Sequence, residues 1–236
     1  MLQSIELHHI LFMDIETVPA YPTYKNMPDN FQALWDQKAE RLKKSETETT
    51  DQIYAKAGIY AEFGKIICIS AGYFYNREFR IKSFYADDEK LLLTEFSQLL
   101  NSHFSSRQHL LCAHNGKEFD YPYIARRMLI NGLQLPFILN IAGKKPWEIP
   151  HLDTMELWKF GDYKHYTSLA LLAAIFGIQT PKDDINGADV ARVYWEDHDL
   201  ERIVHYCQKD VLTVAQLFLK YQSKPLLDDH QIVIIP

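Results

Sequence analysis

Apolar positions along the chain change period several times, and each change marks an element. Residues 5–15 are dominated by apolar residues, with Leu11, Met13 and Ile15 spaced two apart, which predicts a strand. Residues 65–75 are β-rich, and Asn76-Arg77 can turn the chain into a second strand at 78–85, giving a hairpin. Leu91, Leu92, Phe96, Leu99 and Leu100 then fall at helical spacing, behind Asp87 or Asp88 as a cap. Leu110–Ala113 reads as a short buried strand, and His151-Leu152-Asp153 ends another. Further helices are predicted over 120–131, stopped by Gly132; over 154–160; over 167–176, stopped by Gly177; and over about 199–221. Residues 19–35, rich in Pro, Tyr and Asn, predict a loop. Ala33–Lys44 predicts a short charged helix, and the polar stretch 45–51 a mobile segment. The order predicts an α/β fold, a mixed sheet covered by helices. No repeat of fixed period occurs.

Composition narrows the class. The chain has 236 residues, 47% hydrophobic and 24% charged, enough for one sizeable core. One domain over 1–236 is expected, with an insert of unassigned role at about 19–63. No apolar run approaches the ~20 residues of a membrane span. The run Ile10–Met13 lacks a basic flank and is cut by Asp14 and Glu16, unlike a signal peptide. Cys68, Cys112 and Cys207 are odd in number and sit among apolar residues, which predicts buried free thiols in a reducing, cytoplasmic setting. The net charge of −6 argues against a protein that coats nucleic acid by bulk electrostatics. It leaves room for an enzyme that holds one strand end in a local groove.

Three acidic motifs carry the chemistry. Asp14 and Glu16 lie two apart on a strand, so both point to one face while Leu11, Met13 and Ile15 point to the other. Two carboxylates on one face of a buried strand repel each other unless a cation joins them. Hard oxygen ligands suit Mg²⁺ or Mn²⁺. The pair alone also fits a strand ending at solvent with both acids hydrated. The second motif, residues 114–122, follows a strand and opens a helix: Asn115-Gly116 signals a turn and Asp120 falls in the first helical turn. A helix dipole explains Asp120 by itself, but not the His114, Asn115, Lys117 and Phe119 packed on the same loop. The third is the pair Tyr206 and Asp210, on the flank of a helix whose apolar stripe includes Cys207, Val211 and Phe218. Asp153, followed by Glu156, reads as a helix cap and not as a catalytic acid.

Asp14-Ile15-Glu16-Thr17, Asn115 with Phe119-Asp120, and Tyr206-Cys207 with Asp210 together resemble the Exo I, II and III motifs of DEDD 3′–5′ exonucleases. The tyrosine form is similar to the proofreading domain of B-family DNA polymerases, and the resemblance spans residues 10 to 215. His205 also precedes Asp210, as in the histidine form. On one helix, however, His205 and Asp210 stand ~140° apart and Tyr206 and Asp210 ~40° apart, which selects tyrosine. With about 15 residues after the last helix, the chain resembles a stand-alone relative.

The resemblance implies a ribonuclease H-like fold and 3′–5′ exonuclease activity with two divalent cations, Mg²⁺ or Mn²⁺. It implies that Asp14 bridges both ions, that Glu16 and Asp210 complete one site and that Asp120 holds the other. Tyr206 would orient the attacking water. Substrate contacts are expected at Asn115, Phe119, Ile15, Thr17 and Lys117, with Phe119 equally able to pack in the core. Arg126 and Arg127 could meet phosphates, and the run Tyr163 to Tyr166 interleaves basic and aromatic residues as single-strand sites do. The expected partner is a nucleic-acid 3′ end, single-stranded DNA in preference to RNA. Two alternatives remain at this point: an exoribonuclease, or a catalytically silent nucleic-acid-binding protein on the same fold.

Overall fold

The computed structural model describes residues 2–162, 166–179 and 185–236. Six strands form one mixed sheet: β1 (Ile10–Pro19), β2 (Gly64–Tyr75), β3 (Glu78–Tyr85), β4 (Leu110–Ala113), β5 (Leu152–Asp153) and β6 (Ile232–Ile235), in the order β5-β4-β1-β2-β3-β6. β1, β2 and β3 pair antiparallel; β4, β5 and β6 join parallel to β1, β4 and β3. The expected α/β, ribonuclease H-like architecture is present.

Alternation along β1 sorts its side chains between two helical layers. Leu11, Met13 and Ile15 pack with Leu92, Leu93 and Phe96 of α3 (Glu89–His103) and with Tyr121, Ile124 and Met128 of α4 (Asp120–Ile130). Ile10 and Phe12 pack on the other face against Val211, Val214, Ala215 and Phe218 of α8 (Leu200–Tyr221). Gly72 lets that helix approach β2, since a Cβ there would lie 2.9 Å from Val211 Cγ1 and 2.4 Å from the Phe79 ring. The helix starts at Asp199, whose carboxylate accepts from Arg202 N–H, directly after a π-helical segment at Val193–Asp197. Four shorter helices complete the chain: α1 (Asp29–Glu40), α2 (Thr50–Ile53), α5 (Thr154–Lys159) and α6 (Leu169–Phe176), with a helical turn α7 at Val190–Arg192.

Several boundaries differ from expectation. β1 begins at Ile10, where its partner Leu110 begins; Leu2–Ser4 and Leu7–His9 are 3₁₀ turns. The helix expected over 33–44 runs from Asp29 to Glu40, so it takes residues 29–35 from the expected loop. The polar stretch 45–51 leads into a capping box, with Thr49 and Gln52 bonded reciprocally, that opens α2. The insert has a core of its own, Trp35 and Tyr54 with Met27, Ala39, Ile53 and Ala57. It is anchored to α4, because Tyr123 donates to Gly58 O at 2.7 Å and Arg127 Nη1 to Ala61 O at 2.8 Å. The strand β6 was not expected. Tyr163 to His165 lie outside the described residues. Among those described, no helix is long and apolar enough to cross a membrane.

Candidate active site

A β-bulge marks the position of the acidic pair. Asp14 pairs with Ser70 and Glu16 with Cys68, but Thr17 pairs with Ile66, leaving Ile67 as an extra residue in β2. Asp14 and Glu16 face α8, and the Cys207 thiol on that helix donates to Asp14 Oδ2 at 3.4 Å and to Asp14 O at 3.5 Å. Ligand atoms of Asp14, Glu16 and Cys207 all lie within 4.8 Å of one another, the one such group among the described residues. Asp120 and Asp210 stand outside this tight group but act on it electrostatically. Burial is the first cause holding both Asp14 and Glu16 well above the usual carboxylate range, followed by the charges of Glu16, Asp210 and Asp120 on Asp14 and of Asp210, Cys68 and Asp120 on Glu16. Asp120, at the start of α4, is pushed up to about 7 by burial, against hydrogen bonds from its own backbone and from that of Ile15. Tyr206 makes a side-chain hydrogen bond with Asp210, and burial raises its phenol above the ordinary value.

Four acids from β1, α4 and α8 thus act on one another, and the charges that add to burial in shifting Asp14 and Glu16 come mainly from the other acids. Such a cluster holds protons more tightly than separate carboxylates do, and a cation is the alternative counter-charge. The donor set is oxygen-rich, which suits a hard divalent cation. Burial pushes the Cys207 thiol up, so the sulfur stays protonated and acts as a donor to Asp14.

A ribonuclease H-type family model, described as RNase_H superfamily, matches residues 55–222, more than half of the chain. The protein belongs to the RNase H superfamily. A family B DNA polymerase from the hyperthermophilic archaeon Pyrobaculum calidifontis has a similar fold, with a TM-score of 0.53 and 13% identity. The match covers 90% of this chain and 24% of the polymerase, so this chain spans about a quarter of that protein's length.

Within this RNase H-like frame, the expected substrate contacts fare differently. Asn115 sits on the loop between β4 and α4 in a left-handed conformation, φ 65°, and its Oδ1 is buried without a partner among the described residues. Phe119 packs partly against the core, its ring 5.3 Å from Tyr123. The side chain of Ile15 is a core side chain at 5% exposure, because odd positions of β1 face α3 and α4. What Ile15 offers to the site is the backbone bond to Asp120. The Thr17 hydroxyl is engaged by Tyr123. Lys117 forms an ion pair with Glu156 at 2.6 Å and so has its charge answered within the protein. Arg127 likewise serves the fold: its Nε donates to Glu89 Oε1 at 2.8 Å in a buried pair. Cys207 was expected only as part of an apolar stripe; its place directly after Tyr206 was the available signal of its contact with Asp14.

Proposed function

We propose that the protein is a divalent-metal-dependent 3′–5′ exonuclease that hydrolyses phosphodiester bonds at the 3′ end of single-stranded DNA. One observation carries this reading: Asp14, Glu16, Asp120 and Asp210, from three separate elements, act on one another at one half-buried place, with Tyr206 bonded to Asp210. Asp14, Glu16 and Asp210 would hold one Mg²⁺ or Mn²⁺ and Asp14 with Asp120 a second. Cations bound there supply neutralisation of the charge that develops on the phosphate. Tyr206 stays a neutral phenol at pH 7 and can hydrogen-bond the attacking water, so it positions and does not remove a proton. Cys207 holds the Asp14 carboxylate toward the site. Asn115, on the loop that leads to Asp120, would hydrogen-bond the strand through its amide, and the Phe119 ring lies on the same loop.

The test is a time course on end-labelled single- and double-stranded DNA and on RNA, with Mg²⁺, Mn²⁺ or chelator. Stepwise shortening from the 3′ end with either cation, and none in chelator, is the expected result. Asp14→Ala and Asp210→Ala should each abolish it without unfolding the protein, since each removes one carboxylate of the acidic cluster. Full digestion by either variant rejects the mechanism. Preferential digestion of RNA moves the substrate class, and tight binding without turnover in Mn²⁺ returns a silent binding protein.

A further inference from the structure

Asp153, expected to do no more than cap a helix, is bonded to two elements at once. It is 2% exposed and sits at the end of β5, opposite Ala113 of β4. Its Oδ1 accepts from Met155 N–H at 3.0 Å and Glu156 N–H at 3.2 Å, which is the cap of α5. The same oxygen accepts from Asn115 N–H at 3.0 Å, and Oδ2 accepts from Lys117 N–H at 3.1 Å. Capping explains the first two bonds and not the last two. A serine would cap α5 as well without burying a charge.

The turn it grips is closed on its C-terminal side by backbone bonds, from Glu118 and Phe119 N–H to Asn115 O and from Tyr121 N–H to Gly116 O, while the N–H groups of Asn115 and Lys117 are held by Asp153. Asn115 takes a left-handed φ of 65°, an unusual conformation for a side-chain-bearing residue. Among the described residues its Oδ1 is buried without a partner, so the conformation is not selected by that oxygen's bonding. Gly116 fits only because it lacks a Cβ, which would come within 2.5 Å of Ala113 Cβ and 2.8 Å of the Tyr121 ring. Tyr121 in turn donates to Leu152 O at 2.6 Å, fastening the first turn of α4, which bears Asp120, to β5.

We propose that Asp153 is a positioning residue for strand binding: its carboxylate clamps the backbone of Asn115 and Lys117 and thereby fixes where the Asn115 amide meets the nucleic acid. The proposal rests on the exonuclease reading for its substrate, and on the clamp geometry for its residue. Asp153→Ser separates its two roles, because a serine hydroxyl reaches Met155 and Glu156 N–H but not Asn115 and Lys117.

The experiment compares wild type, Asp153→Ser, Asn115→Ala and the double variant on a single-stranded oligonucleotide in Mn²⁺. It reads kcat and KM separately, with melting temperatures alongside. Asp153→Ser should melt near wild type, raise KM about tenfold, the scale of one lost hydrogen bond, and change kcat less than about twofold. The double variant should be no worse than Asn115→Ala, because both changes remove the same contact. An unchanged KM in Asp153→Ser, or losses that multiply in the double variant, overturns the proposal. Should the serine variant fail to fold, Asp153→Asn keeps the Oδ1 bonds and loses only that to Lys117; a wild-type KM there would also count against it. If wild type cleaves no nucleic acid, the exonuclease reading fails on its own. The clamp is then judged by oligonucleotide affinity and by amide hydrogen exchange at Asn115 and Lys117. Lost protection with unchanged affinity rejects the positioning role.

Discussion

Tyr206 and Asp210 show how a single helical turn assembles a reactive pair. The two stand one turn apart on α8, on the flank of a stripe in which Cys207, Val211 and Phe218 are fully buried. The flank position brings a phenol and a carboxylate to the sheet without placing either in the apolar core. Because Tyr206 is held neutral by burial and by Asp210, its removal tests positioning alone. Tyr206→Phe should lower kcat by about 10- to 100-fold, within the range of positioned proton-bearing groups. Mn²⁺ affinity, read by calorimetry, should stay within about twofold. An unchanged rate assigns the orienting role elsewhere. The faces of Asp14, Glu16, Tyr206 and Asp210 were legible in the sequence because strand and helix periods fix them, whereas Asp120 was located by the Asn115-Gly116 turn signal and the helix that follows. The partners of Lys117 and Arg127 were not legible. A basic side chain looks the same whether it meets phosphate or, as here, Glu156 and Glu89 brought in by other elements.

At the scale of elements, local pattern revealed the frame and missed what depends on distant pairing. The β2–β3 hairpin and α3, α4, α6 and α8 follow directly from turn residues, caps and periodic apolar positions. β6 has only four residues, and only its register against Phe79 to Lys82 makes it a strand. The insert also resisted reading, since its Trp35–Tyr54 core joins residues far apart in the chain. Besides the Tyr123 bond to Gly58 O, its attachment uses a buried ion pair. Glu89 accepts from Arg127 Nε at 2.8 Å, Asn131 Nδ2 at 2.9 Å and Ile66 N–H at 2.7 Å, while Arg127 also reaches Ala61 O in the insert. Arg127→Ala leaves Glu89 buried and uncompensated, which costs about 3–5 kcal/mol. Urea denaturation should show that loss, and Glu89→Gln in the same chain should recover part of it, because glutamine still accepts from Ile66. A loss below about 1 kcal/mol would mean that the anchor is held by packing alone.

For the whole molecule, the cluster that would bind cations is also a source of instability in their absence. Asp120 stands near 7 in the folded protein against an ordinary 3.8, and Asp14 and Glu16 are displaced in the same direction. Between the ordinary and the raised values the folded chain binds more protons than the unfolded one. This contribution to stability therefore diminishes as pH rises through that window. A divalent cation replaces those protons, and it competes best where they are fewest. In chelator the melting temperature should fall between pH 6 and pH 8. In saturating Mn²⁺ that fall should be removed or reversed, with the larger cation-induced rise at pH 8. A ligand at about a hundred times its Kd contributes about 2.7 kcal/mol, enough to be read in a melting curve. Asp14→Ala should shrink both the pH slope in chelator and the response to Mn²⁺, because it removes one of the upward-displaced acids and a carboxylate of the proposed cation site. A cation response that is equal at both pH values, or that survives in Asp14→Ala, would place the bound ion away from these carboxylates.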